Sequence, residues 1–148
     1  MLRMGEIHLA EVSAHVTSRY PDEACGLLIG NASGARREVR RVVAAKNLNR
    51  ERSRDRYEMD PSDFRRADAD AARAGTEVVG IYHSHPDHPC LPSAFDQERA
   101  WEGYSYLILS VSARGLDEFR SWILRDGTFR DEGVEIPAHN KQYEVKGR

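Results

Sequence analysis

Two histidines, His83 and His85, are followed after seven intervening residues by Ser93 and, three positions on, by Asp96. On extended backbone, side chains two residues apart project to one face, so both imidazoles can reach a single metal ion. A carboxylate brought in from a following helix completes a set of two neutral imidazoles and one carboxylate. That set suits Zn²⁺ and leaves the fourth tetrahedral position to water, as in a catalytic rather than a structural zinc. Each half also has a plainer reading. A His pair at a strand end can be a polar edge, and Ser93-x-x-Asp96 after Pro92 has the form of a capping box, in which serine and acid satisfy free helix amides. At this composition the four residues at these offsets arise by chance in about one chain in a thousand, so the combination outweighs its parts.

The positioning elements follow from pattern. Residues 77–82 read as a strand that delivers His83 and His85 at its end; a proline-punctuated loop, 86–92, then leads to a helix over 93–103. Earlier, apolar positions at helical spacing predict a helix over 6–19, ended before Pro21. The glycine-bounded apolar run 24–30 predicts a buried strand, with 38–45 as its hairpin partner across Asn31, Ser33 and Gly34. Residues 56–59 read as a short strand. Asp60-Pro61-Ser62-Asp63 opens a helix to Gly75, with an N-cap acceptor, proline at the first position and an acid near the dipole's positive end. A strand over 104–112 and a hairpin of 119–124 with 128–136, joined at Asp126-Gly127, complete the core. The expected fold is one α/β or α+β domain spanning 1–148, a mixed sheet flanked by helices, with its core at about 5–136 and a polar tail over 137–148.

Composition bounds the function. A chain of 148 residues can bury a core without staples. Its two cysteines, Cys25 and Cys90, make no disulfide framework, and no stretch has the ~18 apolar residues of a membrane span. These features predict a soluble, cytoplasmic protein with no membrane partner. With 22 basic against 24 acidic residues, no global field favours nucleic acid, and no Gly-rich loop follows a strand to cradle phosphate. One segment departs from neutrality: residues 36–73 hold twelve bases against eight acids. Within it Arg50, Arg52, Arg54 and Arg56 alternate with other residues. If extended, they share a face suited to an acidic partner; a solvated loop is the commoner outcome.

His83-x-His85, Ser93-x-x-Asp96 and the upstream run Glu23-Ala24-Cys25-Gly26-Leu27-Leu28-Ile29-Gly30 together resemble the JAMM (MPN+, Mov34/PAD-1) metalloproteases. The likeness is greatest to their short prokaryotic branch, which includes enzymes releasing cysteine from a sulfur-carrier protein. The resemblance implies a JAMM/MPN-like, cytidine-deaminase-like fold, with one zinc held by His83, His85 and Asp96. It also implies a catalytic Glu23 and Ser93 and, as substrate, an amide at the tail of a ubiquitin-like or sulfur-carrier protein. These roles are chemically coherent: Glu23 as general base and acid, Ser93 as a hydrogen-bond donor to the oxyanion. Two rivals stand beside this reading, a non-catalytic MPN-type scaffold and a zinc hydrolase of small peptides.

Pro89-Cys90 raises the nucleobase deaminases, whose signature is H-x-E with P-C-x-x-C. Here His85 stands where that glutamate is needed and Ser93 where the second cysteine is needed. His88 reads as a solvated neighbour, and His8, His15 and His139 have no partner motif.

Overall fold

The structure, a computed structural model, describes residues 1–137. Along the chain run β1 (Leu2–Arg3), α1 (Glu6–Arg19), β2 (Cys25–Ser33), β3 (Arg36–Ala45), α2 (Pro61–Arg73), β4 (Glu77–Pro86), α3 (Ala94–Arg99), β5 (Ser105–Ser112), β6 (Gly115–Arg125), β7 (Thr128–Asp131) and β8 (Val134–Glu135). The strands form one mixed sheet in the order β7-β6-β5-β4-β2-β3-β1-β8. β4 and β5 run parallel at its centre, flanked by the antiparallel hairpins β2/β3 and β5/β6.

Two residues, Glu132 and Gly133, join β7 to β8, which stand at opposite ends of that order. Three Cα steps span at most about 11 Å, whereas seven strand spacings laid flat would part the edges by about 33 Å. The sheet is therefore rolled until its edges meet. The Glu132 N–H donates to the Ser121 carbonyl of β6 at 3.0 Å, and the Gly133 carbonyl accepts from Leu2 of β1 at 3.1 Å, closing the seam.

Leu28, Tyr82, Leu107 and Leu109 pack with Val12 and Val16 of α1. Leu27, Ile29 and Val78 pack instead with Ala67 and Ala71 of α2. Neighbouring residues of β2 thus serve opposite faces, as the two-residue period requires. With a helix on each face the run has no solvent side, which is why it reads as continuously apolar. Each fully buried leucine contributes about 2 kcal/mol. Gly26 is needed for the closeness of this packing, since a Cβ there would sit 2.3 Å from the Tyr82 ring.

α2 starts as expected, with the Asp60 side chain accepting from the Ser62 N–H at 2.9 Å and Pro61 at the first position. Other boundaries depart from the sequence reading. Residues 56–59 contribute only a bridge between Asn47 and Met59. α3 stops at Arg99 because Ala100 is already extended. Residues 128–136 split into β7 and β8 at Gly133, whose φ of 80° turns the chain. β1 was not anticipated, since two residues carry no periodicity. Most of the polar tail, with His139, lies outside the described residues.

Candidate metal centre

β4 continues through Pro86, so His83 and His85 belong to the strand itself and share a face. His83 pairs with Cys25 on one side and Ile108 on the other, so the site is anchored in the central strands. The two Nε2 atoms lie 3.2 Å apart. Asp96 comes from the first turn of α3, where the capping box is formed in both directions. The Ser93 Oγ accepts from the Asp96 N–H at 3.0 Å, and the Asp96 Oδ2 accepts from the Ser93 N–H at 2.9 Å. The same carboxylate lies 3.3 Å from His83 Nε2 through Oδ1 and 3.1 Å from His85 Nε2 through Oδ2. The cap therefore aims the carboxylate at the histidines, and the two readings of Ser93-x-x-Asp96 apply to the same atoms.

The chemistry of this donor set fits a cation. His85 Nδ1 faces the Pro89 carbonyl at 2.8 Å. A carbonyl only accepts, so Nδ1 donates there and Nε2 is the ring nitrogen left facing the Asp96 carboxylate. Two imidazole nitrogens and a carboxylate oxygen converging this closely form a ligand set suited to a divalent cation. Zinc–ligand bonds of 2.0–2.1 Å at tetrahedral angles place ligand atoms about 3.3 Å apart, and the separations of 3.2, 3.3 and 3.1 Å match.

Electrostatics agree. Burial works to raise the Asp96 pKa, but hydrogen bonds and charge from His83, with further bonds from His85 and the Ser93 amide, hold it well below the usual carboxylate range. Burial pushes the His83 pKa down, with the hydrogen bond and charge of Asp96 opposing. Its Nδ1 is buried without a hydrogen-bond partner among the described residues. Orientation of that ring comes instead from Tyr57, stacked on it at 4.5 Å between centroids and 26° between planes.

Glu23 lies one residue before Ala24, whose N–H donates to Ser84 Oγ at 2.9 Å and whose carbonyl accepts from the Ser84 N–H at 3.0 Å. Continuing the Cys25–His83 register sets Glu23 opposite His85 on the ligand face. Glu23 is 5% exposed, and burial, with the charges of Asp96 and Asp55, pushes its pKa up to about 9.

The arginine segment does not form the extended face. Residues 51–55 turn, Arg56 N–H bonds the Arg52 carbonyl at 2.8 Å, Arg52 pairs with Asp55, and Arg56 stacks over Phe95. What the loop does is hold Glu23: the Ser53 carbonyl accepts the Glu23 N–H at 2.5 Å, and Asn47 Nδ2 donates to the Glu23 carbonyl at 3.0 Å.

Sequence reasoning missed Tyr57, Ser84, Asn47 and the Pro89 carbonyl. Only Ser84 carried a signal, lying between the two histidines of the motif. His88 is exposed, as expected. His15, read as unpartnered, meets Tyr82 Oη at 2.6 Å through Nδ1. The Cys90 thiol lies by Glu118 Oε1 at 3.3 Å, outside the ligand cluster, which removes the deaminase-like arrangement. The loop after β4 is pinned: Asp87 accepts from Tyr20 Oη, the His88 carbonyl from Ser110, and the Cys90 carbonyl from Trp122.

Residues 5–125 match the family model of prokaryotic homologues of the JAB domain. The chain belongs to this family. The prokaryotic JAB match covers every element from α1 to β6, and so the whole ligand cluster. Over 109 residues the chain is 39% identical to a desampylase of Haloferax volcanii, covering 68% of this chain and 75% of that one. It is 30% identical over 145 residues to the CysO-cysteine peptidase of Mycobacterium tuberculosis, covering 92% and 97%. Among solved structures, a protein of Desulfitobacterium hafniense superposes with a TM-score of 0.83 at 30% identity over 97% of both chains. No helix among the described residues is long and apolar enough to cross a membrane.

Proposed function

We propose that this prokaryotic JAB protein is a zinc-dependent peptidase or isopeptidase that hydrolyses an amide at the C-terminal tail of a small ubiquitin-like or sulfur-carrier protein. The triangle of convergent ligand atoms at His83, His85 and Asp96 carries this reading. The relatives' names, desampylase and CysO-cysteine peptidase, supply the substrate class. His83, His85 and Asp96 hold one zinc per chain. Bound there, zinc supplies Lewis-acid polarisation of the scissile carbonyl and an acidified water.

The remaining steps belong to side chains. Glu23, buried on the ligand face, takes the proton of the attacking water and returns it to the leaving nitrogen, a base and then an acid. With a cation held by the three ligands, the Glu23 carboxyl would ionise more readily than in the metal-free fold. Ser93 already accepts from the Asp96 N–H, so its own hydroxyl proton is free to donate to the carbonyl oxygen as negative charge builds. A non-catalytic scaffold of this fold would have no use for three convergent ligands and a buried acid.

The test is cleavage of a carrier fused through its tail to an amine, before and after chelation. Chelated protein loses turnover, zinc restores it, and unrelated short peptides are not cut. Turnover indifferent to chelation would refute the proposal.

A further inference from the structure

The capping box aims Asp96 within its own helix but does not hold that helix against the sheet. α3 contributes nothing apolar to either core cluster, and its six residues fall well short of the ~12 that an isolated helix needs to persist in water. Both flanks are pinned: Trp122 Nε1 donates to the Cys90 carbonyl at 3.1 Å, and the Trp101 N–H donates to Tyr106 Oη at 2.8 Å. Between those pins, no hydrogen bond among the described residues leads from positions 91–100 to another element, apart from those of Asp96 with the histidines.

The residue next to Asp96 supplies the missing contact. The Arg56 guanidinium lies over the Phe95 ring, 4.5 Å from its centroid, and the Arg99 guanidinium lies over the same ring at 5.1 Å. The two cations are not equivalent. Arg99 follows Phe95 by four residues on the same helix, so its contact stiffens α3 without placing it. Arg56 comes from the loop of residues 47–57, and its backbone is held there on both sides. Its N–H donates to the Arg52 carbonyl at 2.8 Å, and its carbonyl accepts from Asn47 Nδ2 at 3.3 Å. The same Asn47 Nδ2 donates to the Glu23 carbonyl, so the frame that holds Glu23 also carries the guanidinium.

We propose that Arg56 is a positioning residue for Asp96: through its cation–π contact with Phe95 it seats α3 on the loop that holds Glu23, and so sets the carboxylate against the two histidines. A guanidinium suits this task because it stacks on an aromatic face and stays charged at every working pH. Phe95 and Asp96 are consecutive in one helical turn, so holding the ring holds the carboxylate beside it. Without the contact the short helix loosens, and the mobile half of the ligand set loses its aim. The proposal rests on the zinc reading for one of its two readouts; the other is taken on metal-free protein.

The experiment is a double-mutant cycle between Arg56→Met and Phe95→Leu in the full chain. It is read as zinc affinity in competition with a chelator, and as amide exchange at Asp96 and Gln97 in metal-free protein. Each single substitution weakens zinc about tenfold and speeds exchange at both amides. The double variant does no worse than either single, because one shared contact is lost only once. Arg99→Met, whose contact stays within the helix, moves zinc affinity less than about twofold. Phe95→Trp, which keeps a ring face for Arg56, retains the wild-type affinity, and adding Arg56→Met to it brings the loss back. A general loss of stability does not sort the variants in this way. Additive losses in the double variant, an Arg99→Met effect as large as that of Arg56→Met, or affinity and exchange both unmoved by Arg56→Met overturns the proposal. Turnover of the carrier fusion is followed in parallel. Turnover with Arg56→Met unchanged in both readouts defeats this inference alone, whereas exchange that sorts as expected in a protein without zinc affinity or turnover defeats the hydrolase reading and leaves the seating of α3 standing.

Discussion

The ligand cluster is built from two unlike supports. His83 and His85 sit in β4, paired on both sides within the rolled sheet. Asp96 stands on α3, a helix of six residues that adds no apolar side chain to the core clusters, and owes its aim to the Ser93 capping box. The strand fixes its ligands through the register of the whole core, so they cannot shift without unpairing the sheet. The helix fixes its ligand through two local hydrogen bonds. A metal site of this kind therefore has a rigid half and a half whose order depends on a cap and on the metal itself.

The sharpest break in that comparison comes from the ligands. His83→Ala or His85→Ala takes zinc from about one per chain to near zero with the fold retained, read by metal analysis and circular dichroism. Asp96→Ala also unseats the cap, so it disorders α3 as well, seen as faster amide exchange over 94–99.

Next in size is pH. With its folded pKa raised to about 9, Glu23 stays protonated in the metal-free fold while the unfolded chain ionises above 4.5. Stability is therefore lost as pH rises towards 9. His83 is lowered from 6.5, so its contribution changes only below that value, and a window of pH 7 to 9 isolates Glu23. Two pH steps at 1.36 kcal/mol each amount to about 3 kcal/mol. Denaturation of chelated protein shows this loss, and Glu23→Gln removes most of it.

Ser93 separates capping from chemistry. Glycine is nearly as good an N-cap, so Ser93→Gly leaves stability within a few tenths of a kcal/mol but lowers kcat about 100-fold through the lost hydroxyl. Equal kcat would restrict Ser93 to capping. The smallest effect is at Tyr57: Tyr57→Leu keeps the wall apolar but frees the His83 ring, weakening zinc about tenfold in competition with a chelator.

How much of this was readable in the sequence follows the same division. The ligands could be found because a strand converts a spacing of two into a shared face, and because a capping motif happens also to carry a ligand. The run from Cys25 to Gly30 announced its burial through composition. The loop from Asn47 to Tyr57 defeated pattern reading. Alternating arginines suggested an extended face, yet backbone hydrogen bonds with Glu23 and the Arg52–Asp55 pair bend the segment into turns. Its contribution is made through the Ser53 carbonyl and the Asn47 amide, groups that leave no periodic trace. β1, and the break that separates β8 from β7, escaped notice because β1 and β8 pair only where the rolled sheet closes.

Zinc content and turnover of Glu23→Gln, measured on the same preparation, bear most directly on the division of labour between ligands and base. About one zinc per chain with cleavage of the carrier fusion abolished is the predicted result. Retained cleavage, or a variant and wild type that both stay free of zinc after reconstitution, would contradict it.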